Sequence, residues 1–321
     1  MKSFFRSTTV VSKKPLAALA AVGIAAMALV GCSASDDDST TETTETTETA
    51  VNEEARALLP DSIRDRGTLE LVSDFAYPPF AHFDGDDFAG LDYEVGSAIA
   101  EALGLTPNWT QSIGFSTLIP AVESGRADAA LESIGINADR LEVVSMVQYI
   151  AVTDFMVVAA GNPKNIDVSD ICGTHLATQT GSFEAVALEE LSQDCVAAGR
   201  EPIEQSFFPD NKQALLAVAN GRLDGLSEGQ PSAEWDAEAS EGTLEVLDGP
   251  IMNVEGTEPY LSISAGIAVA NTEDGQALGE AITLALAGLQ EDGTFAKILG
   301  NWGVADAALP AKFFNDPSMV G

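Results

Sequence analysis

Few side chains in this sequence of 321 residues are equipped for covalent or metal chemistry. There are three cysteines, Cys32, Cys172 and Cys195, and two histidines, His82 and His175. A structural or catalytic zinc needs a cluster of thiolate and imidazole ligands, and Cys172 with Cys195 is too few to build one. His82 and His175 have no obvious nucleophile partner of the sort that acyl transfer requires. No metal and no cofactor is therefore expected, and the pattern favours a binder over a catalyst. Carboxylates are abundant, with 50 Asp and Glu against 15 Lys and Arg. They are spread along the chain, which describes a solvated surface rather than one acidic site.

The first residues set the compartment. Lys2, Arg6, Lys13 and Lys14 precede an apolar stretch over residues 15–30, and the chain then turns abruptly polar. A basic start, a short apolar core and a small residue before the cut make an export signal over residues 1–31. The closing run Leu29-Val30-Gly31-Cys32 resembles the lipobox of bacterial lipoproteins. That resemblance implies diacylation of Cys32, which would anchor the chain to the outer face of the cell membrane. An ordinary signal peptide, or a single spanning helix, with an incidental cysteine is the plainer alternative. In an oxidising space a disulfide between Cys172 and Cys195 is the economical reading, with two separate buried thiols as the other. Removing residues 1–31 leaves 11 basic against 50 acidic residues, a formal charge of −39. Such a surface repels phosphates, so nucleic acid is excluded as a partner.

Residues 32–60 read as a disordered acidic tether of Ser, Thr and Glu. From residue 68 short apolar strands alternate with amphipathic helices. Strands are expected at 68–73, 107–111 and 127–131, with helices at 92–103 and 115–123 between them. On the first helix Val95, Ile99, Ala102 and Leu103 share one face. An extended apolar run covers 155–160. The pattern then restarts with strands at 175–179, 203–208 and 223–227 and helices at 183–193 and 212–220. A strand at 261–270 and helices at 276–290 and 294–299 close the chain. This alternation argues an α/β fold with mostly parallel sheets, in two similar lobes.

Several landmarks carry a family resemblance. They are Gly67-Thr68-Leu69, Asp74-Phe75-Ala76-Tyr77-Pro78-Pro79-Phe80, Gly90-Leu91-Asp92-Tyr93-Glu94-Val95, residues 115–128, Gln179-Thr180-Gly181-Ser182, Gly221-Arg222-Leu223-Asp224 and Asn301-Trp302-Gly303. In this order the sequence resembles the family 3 extracellular solute-binding proteins, polar amino acid receptors of bacterial ABC importers. The resemblance implies the type II periplasmic-binding-protein fold, with ligand gripped between two α/β lobes joined by two hinge strands. Lobe 1 would hold residues 62–157 and 263–310, lobe 2 residues 158–262, and 311–321 would be a tail. It implies a monomeric receptor that serves ABC permease subunits. The spacing of Cys172 and Cys195 is similar to that in an actinobacterial branch of the family.

By the same resemblance, Arg140 would clamp a ligand carboxylate, helped by Gly181 and by Ser182 at a helix start. Such a pairing suits a planar guanidinium and free N–H groups. Asp74 would meet an ammonium, Tyr77 and Phe115 would wall the site, and Ser133 and Gly135 belong to the stretch before Arg140. For the aromatics, core packing is the competing role; for Ser182, an ordinary helix cap.

Two departures from the family pattern bear on the ligand. Gly135 stands where a Thr is usual, and Glu132 where the family has Ala or Gly. The lobe 2 Asp is replaced by Gly229, with Glu228 one residue earlier. Glu132 and Glu228 add negative charge near Asp74, which favours a basic amino acid, a betaine-like compound or a polyamine, unless these side chains face solvent. The same fold also serves exported dehydratases acting on prephenate-like substrates, where Glu132 or Glu228 would be a general acid. A ligand sensor is a third reading.

Overall fold

The computed structural model describes residues 50–315. The export signal, Cys32 and most of the acidic tether lie outside them. Two short helices, α1 (Glu53–Ala57) and α2 (Asp61–Arg66), open the described chain. The first strand–helix block holds β1 (Thr68–Ser73), a small hairpin of β2 (His82–Asp84) and β3 (Asp87–Ala89), α3 (Leu91–Ala102), β4 (Thr106–Gln111), α4 (Leu118–Glu123) and β5 (Ala129–Gly135). After α5 (Ala138–Val143) comes β6 (Val144–Ala159), 16 residues long. The second block is β7 (His175–Gln179), α6 (Phe183–Ala197), β8 (Glu204–Phe208), α7 (Asn211–Ala219) and β9 (Gly225–Gly229). Helix α8 (Gln230–Ala239), β10 (Leu244–Pro250), β11 (Ser262–Ala270), α9 (Glu273–Glu291) and α10 (Thr294–Asn301) complete it.

Strand β1 lies parallel to β4 and β5 in lobe 1, and β7 lies parallel to β8 and β9 in lobe 2. Strand β6 joins them. Its first part runs antiparallel to β11, and from Asp154 onward it pairs with β9 and β10 instead. The return crossing passes the same point, where the Asp154 N–H donates to the Leu261 carbonyl at 2.9 Å. The sequence reading sees only 155–160 as extended. Before that point β6 carries Ser145, Gln148 and Thr153, which break up its apolar run.

Lobe 1 packs β1 and α3 against α9. Val95, Ile99, Ala102 and Leu103, the predicted α3 face, are all buried together with Leu278, Ile282, Leu286 and Leu289. Lobe 2 has a smaller core around Met156, Leu176, Leu188, Leu191 and Ile203. Cys195 of α6 is buried in that core and forms a disulfide with Cys172, with Cα atoms 5.7 Å apart.

Two segment boundaries need correction. The expected tether runs to residue 60, but Ala55 and Leu59 are buried in lobe 1. Asn52 caps α1 by accepting from the Ala55 N–H and donates to the Leu284 carbonyl, while Arg56 donates to the carbonyls of Leu103 and Gly104. Residues 52–60 are therefore folded, because an N-cap and two apolar contacts give an acidic segment something to bury. The expected tail from residue 311 is likewise docked. Phe314 is fully buried, and its carbonyl accepts from the Gln148 N–H at 2.9 Å.

The disulfide closes a loop over a sequence separation of 23. Replacing both cysteines, as Cys172→Ser with Cys195→Ser, should cost about 3 kcal/mol of stability by freeing the unfolded chain. The urea midpoint measures this, and the unsubstituted protein should lose a similar amount when reductant is added. A midpoint insensitive to reductant would count against the bond.

Candidate functional site

Strands β5, β6 and β9 each deliver one carboxylate to the space between the lobes, at Glu132, Asp154 and Glu228. A fourth, Glu184, comes from the first turn of α6. All four line one cavity together with Tyr77, Phe115, Ser133, Gly135, Gln179, Ser182 and Phe183. With the lobes in this position the cavity is small, about 30 Å³. The strand carboxylates are almost fully buried, with Glu132 and Glu228 1% exposed and Asp154 0%. Both glutamates therefore face inward rather than toward bulk water.

Each strand carboxylate is held by one oxygen only. Glu132 Oε2 accepts from the Asp74 N–H at 2.9 Å. Asp154 Oδ2 accepts from the Ser227 hydroxyl at 3.0 Å, and Glu228 Oε2 from the Asn211 amide at 3.0 Å. The second oxygens, Glu132 Oε1, Asp154 Oδ1 and Glu228 Oε1, have no hydrogen-bond partner among the described residues. Buried polar atoms are rarely left this way, because each forfeits its hydration. Burial accordingly raises all three carboxyls well above the usual range. The nearby Asp74 adds to it for Glu132, Glu184 for Asp154, and Asp236 for Glu228. Glu184 is raised as well, first by burial. Its own backbone N–H, the Ser182 hydroxyl and the Arg140 charge act in the opposite direction.

The lobes are in contact across this cavity. Tyr77 stacks on Phe80 and its hydroxyl accepts from the Gly229 N–H of lobe 2 at 3.2 Å. Phe183 enters from lobe 2 against Gly135: a Cβ at Gly135 would lie 2.7 Å from the Phe183 Cβ and 2.9 Å from Ile263 Cγ2. That contact accounts for glycine at this position, where the family resemblance leads one to expect Thr. Outside the cavity, the half-buried His82 ring lies 5.2 Å from Trp235 of lobe 2 and 5.5 Å from Trp302 of lobe 1.

Three of the sequence-derived candidates adjoin the cavity without lining it. Asp74 is buried in its wall, where it accepts from the Ala76 N–H and gives its own N–H to Glu132. Arg140 is the third residue of α5, donates its backbone N–H to the capping Asn137 side chain, and is buried. Its guanidinium donates to the Gly135 carbonyl, reaches the Gly181 carbonyl of lobe 2 at 2.8 Å, and sits 5.5 Å from the Phe115 ring centroid. Gly181, at φ 79°, is thus an acceptor for Arg140, and its N-terminal α6 neighbour Ser182 caps the helix through the Ala185 N–H.

Ser133 has φ 45°, a left-handed conformation costly for a residue with a Cβ. Asp92 holds it there. One carboxyl oxygen accepts from the Ser133 N–H at 2.6 Å and the other from the Tyr149 hydroxyl at 2.6 Å, and burial pushes Asp92 up to about 7.

Sequence reasoning misses Asp154, Glu184 and Phe183. Asp154 had a usable signal, since it is the sole charged residue in β6. Glu184 did not, because an acid in a first helical turn is ordinary.

Four carboxyl groups line a cavity with no basic side chain among the described residues, so its chemistry suits hydrogen-bond donors. The family model for bacterial extracellular solute-binding proteins, family 3, matches residues 69–305. The arginine-binding protein ArgT of Corynebacterium glutamicum is 25% identical over 308 residues, spanning 95% of this chain and 97% of its own. The lysine/arginine/ornithine-binding periplasmic protein of Escherichia coli is 25% identical over 248 residues, spanning 75% of this chain and 87% of its own. Among solved structures, the substrate-binding protein AbpA of an amino acid ABC transporter from Streptococcus pneumoniae, bound to L-arginine, is similar with a TM-score of 0.62 at 20% identity. It aligns over 78% of this chain and 100% of that one, a likeness of fold alone. With the match spanning nearly all of both lobes, the chain belongs to the bacterial extracellular solute-binding proteins, family 3.

Proposed function

We propose that this protein captures a small organic cation related to arginine between its lobes and presents it to the permease of an ABC importer. One observation carries the reading: three buried carboxylates that line the same cavity each keep an oxygen without a partner among the described residues. Ammonium and guanidinium groups are the ligands that replace lost hydration at such oxygens, through charge-assisted hydrogen bonds. The names of the relatives, which concern arginine, lysine and ornithine, agree with that chemistry. Attachment through a lipid on Cys32 and a monomeric state belong to the same proposal. They rest on the lipobox-like sequence and the family pattern.

Recognition works by closure. The ligand bridges carboxylates of lobe 1 and lobe 2, so it stabilises only the state in which both surround it. Arginine at one hundred times its Kd should stabilise the protein by about 2.7 kcal/mol, read as a rise in Tm, while glutamine should leave Tm unchanged. Stabilisation by glutamine or glutamate alone would sink the cationic reading.

Glu228→Gln removes one charged acceptor. The arginine affinity should fall by on the order of 1.5–3 kcal/mol, measured calorimetrically. The ligand-free protein should be no less stable at neutral pH, since burial already disfavours the charged form of Glu228.

The pH dependence has a defined sign. Burial raises Glu132, Asp154 and Glu228, so these groups hold protons at pH values where exposed carboxyls have lost them. A cation binds the ionised forms and expels those protons. Affinity should therefore be weakest in acid and rise with pH, with proton release seen as a dependence of binding heat on buffer ionisation enthalpy.

Tyr77→Phe deprives the Gly229 N–H of its acceptor in the closed state only. Closure should weaken by about 1 kcal/mol, lowering affinity several-fold, with solution scattering showing a larger ligand-free radius of gyration.

A further inference from the structure

Phe183 packs on the cores of both lobes. It is the first residue of α6 in lobe 2, and its ring lies against the lobe 2 core and against that of lobe 1. Its seat in lobe 1 is Gly135, the last residue of β5, beside the buried Ile263 of β11. A side chain at position 135 would fill that seat. Its Cβ would lie 2.7 Å from the Phe183 Cβ, 3.0 Å from the Phe183 Cγ and 2.9 Å from Ile263 Cγ2, closer than packed carbons approach.

A second contact joins the same two segments. The Arg140 guanidinium donates to the Gly135 carbonyl and, at 2.8 Å, to the Gly181 carbonyl two residues before Phe183. The end of β5 and the start of α6 are thus drawn together by one apolar and one polar contact, and both are made wholly by the protein. Parting the lobes returns the lobe 1 side of the Phe183 ring, and the floor of its seat, to water. Burying that apolar surface therefore favours the closed form whatever the cleft holds.

We propose that Phe183 seated at Gly135 is a built-in latch, which biases the hinge toward closure before a ligand completes it. As a positioning residue it sets the share of protein already in the closed form. It thereby scales the affinity for every ligand by one factor and does not select among them. This goes beyond the reading of the ligand as a cation and applies to any solute that binds between the lobes.

Two variants of the intact mature protein test the latch. Phe183→Ala removes the ring, whereas Gly135→Ala leaves the ring on the lobe 2 core and obstructs its seat. Solution scattering without added ligand should show a larger radius of gyration in both variants than in the unsubstituted protein. An unchanged radius in either folded variant would overturn the latch, and this measurement is independent of what the ligand is. Because the ring also lines the carboxylate cavity, a ligand series separates a latch from a contact. Calorimetric titration with arginine, lysine and ornithine should show affinity lowered on the order of tenfold by either substitution, by the same factor for all three. Tighter binding by Phe183→Ala would mean that the ring blocks the ligand's place, and losses that differ among the three would mean that it touches the ligand. Either result overturns the assignment. If none of the three binds the unsubstituted protein, the cationic reading fails and the scattering comparison alone decides the latch.

Discussion

An ionised carboxylate carried from water into a protein interior loses several kcal/mol of hydration unless donors replace it. Glu132, Asp154 and Glu228 each recover half of that through a single hydrogen bond and leave the other oxygen bare. Proteins seldom tolerate one such atom, and here three face one space. The rest of the cleft is arranged around this cost. Asp92 and Tyr149 hold Ser133 in a left-handed conformation beside Glu132, Asn211 secures Glu228, and Ser227 secures Asp154. Each carboxylate is fixed by a separate element, so none can swing out to find water.

The placement of Asp154 ties recognition to motion. It lies where β6 leaves one sheet and enters the other, and where the returning chain crosses. A ligand that engages Asp154 touches the pivot itself, while contacts to Glu132 and Glu228 load the two sides. Closing contacts are otherwise modest. They are Tyr77 with Gly229, Arg140 with Gly181, Phe183 against Gly135, and the indole of Trp235 near His82. Two are hydrogen bonds and two are packing contacts, a small set that suits a joint that must also open.

Much of the architecture is legible in the sequence because strand and helix periods differ. The α3 face of Val95, Ile99 and Leu103 is a clear helical stripe, and the turn to the second block is marked by the fresh run from His175. Elements without an apolar pattern escape such reading. Helix α8 buries only Ser232 and Ala233, and β10 carries Glu245 and Asp248. Helix α1 follows a polar run and is fixed by tertiary contacts that no local signal encodes. The candidate site divides in the same way. Glu132 and Glu228 stand out as departures from a family pattern. The meeting of Phe183 with Gly135 joins positions 48 residues apart, and only the folded chain brings them together. Arg140 is visible as a residue of the cleft, but its partners are backbone carbonyls, which a sequence cannot display.

The docking of α1 and of Phe314 has a mechanical consequence. Both the first and the last described segments pack on lobe 1, while lobe 2 is an insertion reached only through the two crossings near Asp154. A pull applied between these ends runs through a single rigid body and bypasses the pivot. Tension on the chain would then neither pry the cleft apart nor clamp it shut, and lobe 2 is left free to swing like a door whose frame alone bears the load.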